Sequence, residues 1–232
     1  MPDALVVSGG GPYADAWHRF AETSGRLADI IAGLGHSVEV TDDVEAALAA
    51  PACRLLVINI GNPQPSHPGP TTAVSAGLQG HLDGGGALLG IHSSATVTAL
   101  PRILGGRWVP GITMHPTQGH AKIIRTDTTH PITTGLGDID VVDERYSYLA
   151  TEPDVTVLYE HDYQSVRHPV VWTRETERCR VVYSALGHDT ASYDSLSHVA
   201  LLRRAVTWLL NRQLVTEPVS EALKLSICRV TD

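Results

Sequence analysis

The first part of the chain alternates short apolar runs with amphipathic stretches, the order that builds a parallel sheet covered by helices on both faces. Leu5–Val7 reads as a strand that leaves through Ser8-Gly9-Gly10-Gly11. From about Ala16 to Leu34, Phe20, Leu27, Ile30, Ile31 and Leu34 fall on one helical face, with Gly35 as the stop. Ser37–Val40 follows as a strand. Leu55–Ile60 is an apolar run, as expected of a central parallel strand buried on both faces. A loop rich in Pro and Gly (61–70), a helix from about Thr71 to Leu82 and a triple glycine then lead into a further strand, Ala87–Ile91. Loops at the carboxyl ends of such strands are where open α/β sheets place their ligands.

After Gly105-Gly106 the pattern changes to short β-like segments at Lys122–Arg125, Val141–Leu149, Val155–Tyr159, Val170–Thr173 and Arg180–Leu186. A last helix, Ser195–Asn211, carries Val199, Leu202, Val206, Leu209 and Leu210 as an apolar stripe and should pack back on the sheet. The expected organisation is one α/β domain over 1–213. A tail over 214–232 has no clear periodicity; it could be loose or could cover a partner subunit of a homo-oligomer.

Composition narrows the function classes. With 43% hydrophobic and 18% charged residues among 232, the chain is an ordinary globular protein. A formal net charge of -8 and the lack of any Lys/Arg-rich run argue against nucleic-acid and anionic-lipid partners. The longest apolar runs are strand-length, so no membrane span is expected. The N-terminus has no basic region ahead of an apolar one, which makes the cytoplasm the expected location. Cys53, Cys179 and Cys228 are far apart and odd in number, which fits reduced thiols. Ser8-Gly9-Gly10-Gly11 has neither the spacing of a dinucleotide fingerprint nor a P-loop lysine, so no nucleotide cofactor is expected.

Several segments, in order, carry a family likeness: Leu89-Gly90-Ile91-His92-Ser93-Ser94, Leu104-Gly105-Gly106-Arg107-Trp108, His115-Pro116, His130-Pro131-Ile132-Thr133, Asp143-Glu144-Arg145-Tyr146, Pro169-Val170-Val171-Trp172 and Ser184-Ala185-Leu186-Gly187-His188-Asp189. Together they resemble the trehalose-utilisation (ThuA-like) family. The resemblance implies a flavodoxin-like, doubly wound, mostly parallel sheet of the class I glutamine-amidotransferase-like type, with extra β segments in its second half. It also implies a link to disaccharide metabolism, notably trehalose and related keto-sugars. Arg145 departs from the family motif, which places an apolar or aromatic residue before the tyrosine.

In class I amidotransferases a strand ends in a sharp turn that bears a nucleophilic Cys, and the catalytic His follows a late strand. Here Ala87–Ile91 ends at His92, followed by Ser93 and a helix-like stretch from Ala95 to Leu104, so no sulfur is available for thioester chemistry on glutamine. The late strand leads into Gly187-His188-Asp189. His92 and His188 are expected to face one pocket, as ligands of a divalent metal or as an acid/base pair. A helix N-terminus after His92 would favour its neutral form. Asp143 and Glu144 are the candidate carboxylates, with Glu144 preferred on the resemblance. His115 is a candidate third metal ligand, with His120 the lesser alternative, while His130 suits a turn. Ser93, Tyr146, Trp172 and Asp189 complete the expected substrate contacts, the two aromatics offering flat faces to a sugar ring. The expected function is an enzyme acting on a small-molecule sugar; the alternative is a carbohydrate-binding or regulatory domain that kept the scaffold after losing the nucleophile.

Overall fold

The structure is a computed structural model describing residues 1–211; the tail expected over 214–232 lies outside the described residues. Four strands, β1 (Ala4–Ser8), β2 (Val38–Thr41), β3 (Leu55–Asn59) and β4 (Ala87–Ile91), lie parallel in the order β2-β1-β3-β4. Every residue of β3 and β4 is buried, because helices cover the parallel layer on both faces. These helices are α1 (Phe20–Ala32), α2 (Val44–Ala49), α3 (Thr72–Asp83) and the short α4 (Pro101–Leu104). Asp43 and Thr71 cap α2 and α3 by accepting from Ala46 N and Val74 N.

Two helical expectations are corrected. The helix expected from Ala16 starts at Phe20, because the Asp15 carboxylate accepts from Trp17 N (2.9 Å) and His18 N (2.8 Å) and folds that stretch into an Asx turn. The stretch expected as a helix over Ala95–Leu104 is instead a 3-10 turn (His92–Thr96) and α4. Val97, extended at φ -79° and ψ 117°, ends the turn and separates the two.

The second half adds β5 (Gly106–Arg107), β6 (Gly119–Arg125), β7 (Ile139–Asp143), β8 (Ala150–Thr151), β9 (Thr156–Tyr163), β10 (Val166–Glu175) and β11 (Arg180–Ser184). β5 and β8 form a separate two-stranded ribbon, and the main sheet runs β2-β1-β3-β4-β11-β10-β9-β6-β7. β11 is the seam: parallel to β4 on one side and antiparallel to β10 on the other. Gln164 and Ser165, both at positive φ, make the tight turn between β9 and β10.

The strand expected over Val141–Leu149 stops at Asp143, and the chain turns away through Tyr148 at φ 61°. β7 curls back on the last helix, α5 (Leu196–Leu210), where Asp140 accepts from Ser195 Oγ at 2.6 Å and donates its N–H to Ser197 Oγ at 3.2 Å. That curl carries Glu144 over the carboxyl ends of β1, β4 and β11. No helix among the described residues is long and apolar enough to cross a membrane.

Candidate functional site

The turn after β4 sets His92 at φ 44°, a left-handed conformation that costs a non-glycine residue about 1–2 kcal/mol and is held by the packing around it. Its Nδ1 lies 2.7 Å from the Ala185 carbonyl, so Nδ1 carries the hydrogen and Nε2 keeps its lone pair. Around that lone pair are the Tyr146 hydroxyl at 2.9 Å, His188 Nδ1 at 3.3 Å and Glu144 Oε2 at 3.4 Å. Burial drives the His92 pKa down to about 4, against the pull of Glu144, so the ring is neutral at neutral pH. The cause differs from the helix N-terminus expected from sequence: only a five-residue 3-10 turn follows, and desolvation does the work.

His188 follows β11 and brings Nδ1 to 3.3 Å from Glu144 Oε2. Burial lowers its pKa too, with Glu144 opposing. Gly187 before it sits at φ 119°, and a Cβ there would lie 2.8 Å from Ile91 Cγ2 and 2.9 Å from the Tyr193 hydroxyl, so the approach of this loop to the elbow requires glycine. Burial pushes the Glu144 carboxyl up, but the imidazoles of His92, His188 and His115 around it outweigh burial and hold it below its ordinary value.

The fourth member is His18, which the sequence reading missed. The Asx turn of Asp15 delivers it: Nδ1 donates to the Asp15 carboxylate at 2.7 Å, and Nε2 is buried without a partner. Its ring centroid lies 5.1 Å from that of His92 and 4.9 Å from that of His188. One donor atom each from His18, His92, Glu144 and His188 falls within a mutual span of 4.8 Å. A carboxylate-anchored histidine with its second nitrogen free is a recurrent arrangement in metal sites. The signal available in sequence was Asp15-x-x-His18 just beyond the glycine-rich exit of β1, masked by reading the segment as helix.

The cluster opens into a cavity of about 920 Å3, within the range of small-molecule pockets. Trp17, Trp108 and Tyr146 supply aromatic walls, and Asn62, Gln64, Ser93 and His115 supply polar groups.

Of the expected site residues, His92, His188, Glu144, Tyr146, Ser93 and His115 meet here. His115, the candidate third ligand, lines the cavity outside the four-residue cluster, with its Nδ1 3.5 Å from Glu144 Oε1, and the third imidazole of the cluster is that of His18. His120 lines a separate groove with Asp140. Trp172 is corrected as a sugar platform. It is fully buried, donates Nε1–H to the Leu104 carbonyl at 2.7 Å and stacks near Tyr183. Asp189 lies off the cavity, capping the turn Thr190–Asp194 and accepting from Gln118 Nε2 at 2.7 Å. Asp143 is fully buried behind the cavity wall and cannot touch a ligand there, so its expected catalytic place is corrected as well.

The sequence profile of the trehalose-utilisation (ThuA) family matches residues 4–209. The chain belongs to the ThuA family. Among solved structures, a protein of Parabacteroides merdae described as ThuA-like has a TM-score of 0.73 at 17% identity, covering 90% of this chain and 89% of that one. A ThuA-like protein of Bacteroides uniformis gives 0.71 at 17% identity, covering 89% and 90%. A protein of Thermoplasma acidophilum described as part of a GMP synthase gives 0.55 at 16% identity, covering 88% and 91%. No curated protein sequence matches the chain. The ThuA fold is thus an α/β fold with a mostly parallel central sheet and added strands, and membership supports a carbohydrate-related role. In this ThuA chain an imidazole, not a thiol, occupies the elbow after β4.

Proposed function

We propose that this protein is a sugar-acting enzyme in which His18, His92, Glu144 and His188 hold a divalent transition-metal ion at the floor of the aromatic-walled cavity. The convergence of four donor atoms within 4.8 Å carries the reading. Three imidazole nitrogens and one carboxylate oxygen suit zinc and its neighbours better than magnesium or calcium, which favour all-oxygen shells. Bound there, the ion would polarise a sugar oxygen or activate a water.

The chain's own groups supply the rest. Burial holds the Tyr146 phenol far above its ordinary pKa, so it stays a hydrogen-bond donor, suited to negative charge developing on a substrate oxygen. Glu144 stays ionised and able to accept a proton beside a keto group, while Trp17 and Trp108 offer faces to the C–H side of a sugar ring. Proton abstraction next to the carbonyl of a keto-sugar and metal-assisted hydrolysis both start from this arrangement. Glutamine amidotransfer does not, for want of a thiol at the elbow.

The test is metal analysis of the purified chain together with a screen of 3-keto-disaccharides and their parent sugars. Near-stoichiometric metal that is lost in His92→Ala, with turnover lost on chelation and restored by Zn2+ or Mn2+, is expected. Full turnover by metal-free protein would overturn the metal reading. The non-catalytic alternative is favoured by one observation, the loss of the elbow nucleophile, and would show as sugar binding without turnover at any metal loading.

A further inference from the structure

We infer that Asp143 is a positioning residue that fixes Glu144 against His188, so the Asp143-Glu144 pair divides its labour between holding the site and facing the ligand. The inference rests on the proposal that Glu144 and His188 act as one cluster. Asp143 Oδ1 accepts from the backbone N–H of Glu144 (2.8 Å) and of His188 (3.2 Å), the two residues whose side chains meet at 3.3 Å. Its Oδ2 accepts from Gly187 N (2.7 Å) and from the Ser192 hydroxyl (2.5 Å). Ser192 is braced in turn by His198 of α5, whose Nδ1 lies 3.0 Å from Ser192 Oγ and 2.9 Å from the Ser192 carbonyl. One carboxylate therefore joins the end of the edge strand β7, the loop after the seam strand β11 and the start of α5.

Two simpler accounts do not fit. Asp143 is not the cap of the turn Thr190–Asp194, because Asp189 already caps it by accepting from Ala191 N at 2.8 Å. It is not a general acid or base, because both oxygens are occupied by donors and the side chain is sealed from the cavity. Taking a carboxylate out of water is costly unless donors surround it, and apolar packing would have been the cheaper way to fill the space. What the carboxylate adds over apolar packing is directional fixing of three consecutive features of the site.

The test uses the metal-free full chain and measures carbethoxylation of His188 by diethyl pyrocarbonate, site by site by peptide mass spectrometry, with exposed His120 as internal reference. Asp143→Asn turns a donor toward Gly187 N–H and Ser192 O–H and should raise the His188 to His120 ratio by about tenfold, as expected when a charge-assisted hydrogen bond is lost. Ser192→Ala, which removes one donor of four, should raise it less. Leu55→Ala, fully buried at the amino end of β3 and destabilising by the loss of core packing, should leave the ratio at the wild-type value, which separates positioning from general loosening.

Unchanged ratios in folded Asp143→Asn and Ser192→Ala overturn the inference; if Asp143→Asn does not fold, an unchanged ratio in Ser192→Ala overturns it alone. Co2+ titration in parallel reads the site directly. Wild type should show d–d bands, and Asp143→Asn should bind about 10–100-fold more weakly with altered bands, the usual loss when a ligand's supporting partner is removed. Wild type without Co2+ bands would defeat the metal reading, and the modification ratio would still decide the role of Asp143.

Discussion

The two halves of the sheet hold their site residues by different physics. In the parallel half, β3 and β4 are buried along their whole length, and His92 at the end of β4 is enclosed by the core, with the Ala185 carbonyl orienting its ring and the Tyr183 hydroxyl holding its backbone carbonyl. In the antiparallel half, β6 buries only Ile123 and β7 alternates buried with exposed positions, so one face of this layer meets solvent. Glu144 extends from the edge strand of that half and is held by directed hydrogen bonds through Asp143. A site residue at the end of a two-face-buried strand is fixed by the core. One at the end of an edge strand needs polar anchors, because apolar contacts alone do not fix an orientation.

The largest test of this contrast is apolar truncation on each side. Leu89→Ala in β4, fully buried, should cost about 2–5 kcal/mol in urea unfolding, whereas Ile124→Ala in β6, only half-buried, should cost under about 1.5 kcal/mol. Equal losses would erase the distinction.

Next comes pH. Burial lowers His92, His161 and His198 to about 4 from 6.5. Between those values the unfolded chain binds more protons than the folded one, so stability falls as pH drops. Asp143 has the opposite sign: burial raises it from 3.8 to about 7 against its four donors, so across that window the folded chain binds the extra proton. It offsets about one histidine. The metal-free chain should therefore lose on the order of 3 kcal/mol per pH unit near pH 5, about 1.4 for each net proton. Chemical denaturation at pH 7, 6 and 5 measures it, and a flat profile would mean these rings have water or partners that spare them the cost of burial.

Smaller again is the support of His18. Asp15→Asn removes the carboxylate behind Nδ1 and should weaken Zn2+ or Co2+ binding by about 10–100-fold with little change in melting temperature. Unchanged affinity in a folded variant would separate His18 from the metal-holding set and leave the parallel half with His92 alone.

Legibility in the sequence followed the same divide. The parallel strands could be read from runs such as Leu55–Ile60, because burial on both faces leaves no polar alternation to interpret. His92 and His188 could be placed because each stands in the loop after such a run, at the positions where the amidotransferase likeness puts the nucleophile turn and the late-strand histidine. His18 could not, since Phe20, Leu27 and Ile31 suggest a helix that extends backward over it, and only the Asx turn of Asp15 decides otherwise. The role of Asp143 was hidden for a different reason: which carboxylate of an adjacent pair turns inward is a fact about its distant amide partners, Gly187 and His188. Trp172 misled because an aromatic beside Val170-Val171 reads equally well as core or platform until the Leu104 carbonyl claims its indole N–H.

The smallest expected effect concerns the cavity mouth. Trp17 is 76% exposed although it is large and apolar, and it stands one residue before the anchored His18. Little buried area is lost on removing it, so Trp17→Ala should leave the melting temperature almost unchanged. If its ring stacks on a sugar, affinity for the bound disaccharide should fall about fivefold, near 1 kcal/mol, the usual worth of one partly exposed aromatic contact. A thermal melt of wild type and variant, and isothermal titration of each with the best ligand from the keto-disaccharide screen, read the two quantities. A large fall in melting temperature with intact affinity would make Trp17 a structural residue of the parallel half, and the cavity would then owe its aromatic recognition to Trp108 and Tyr146.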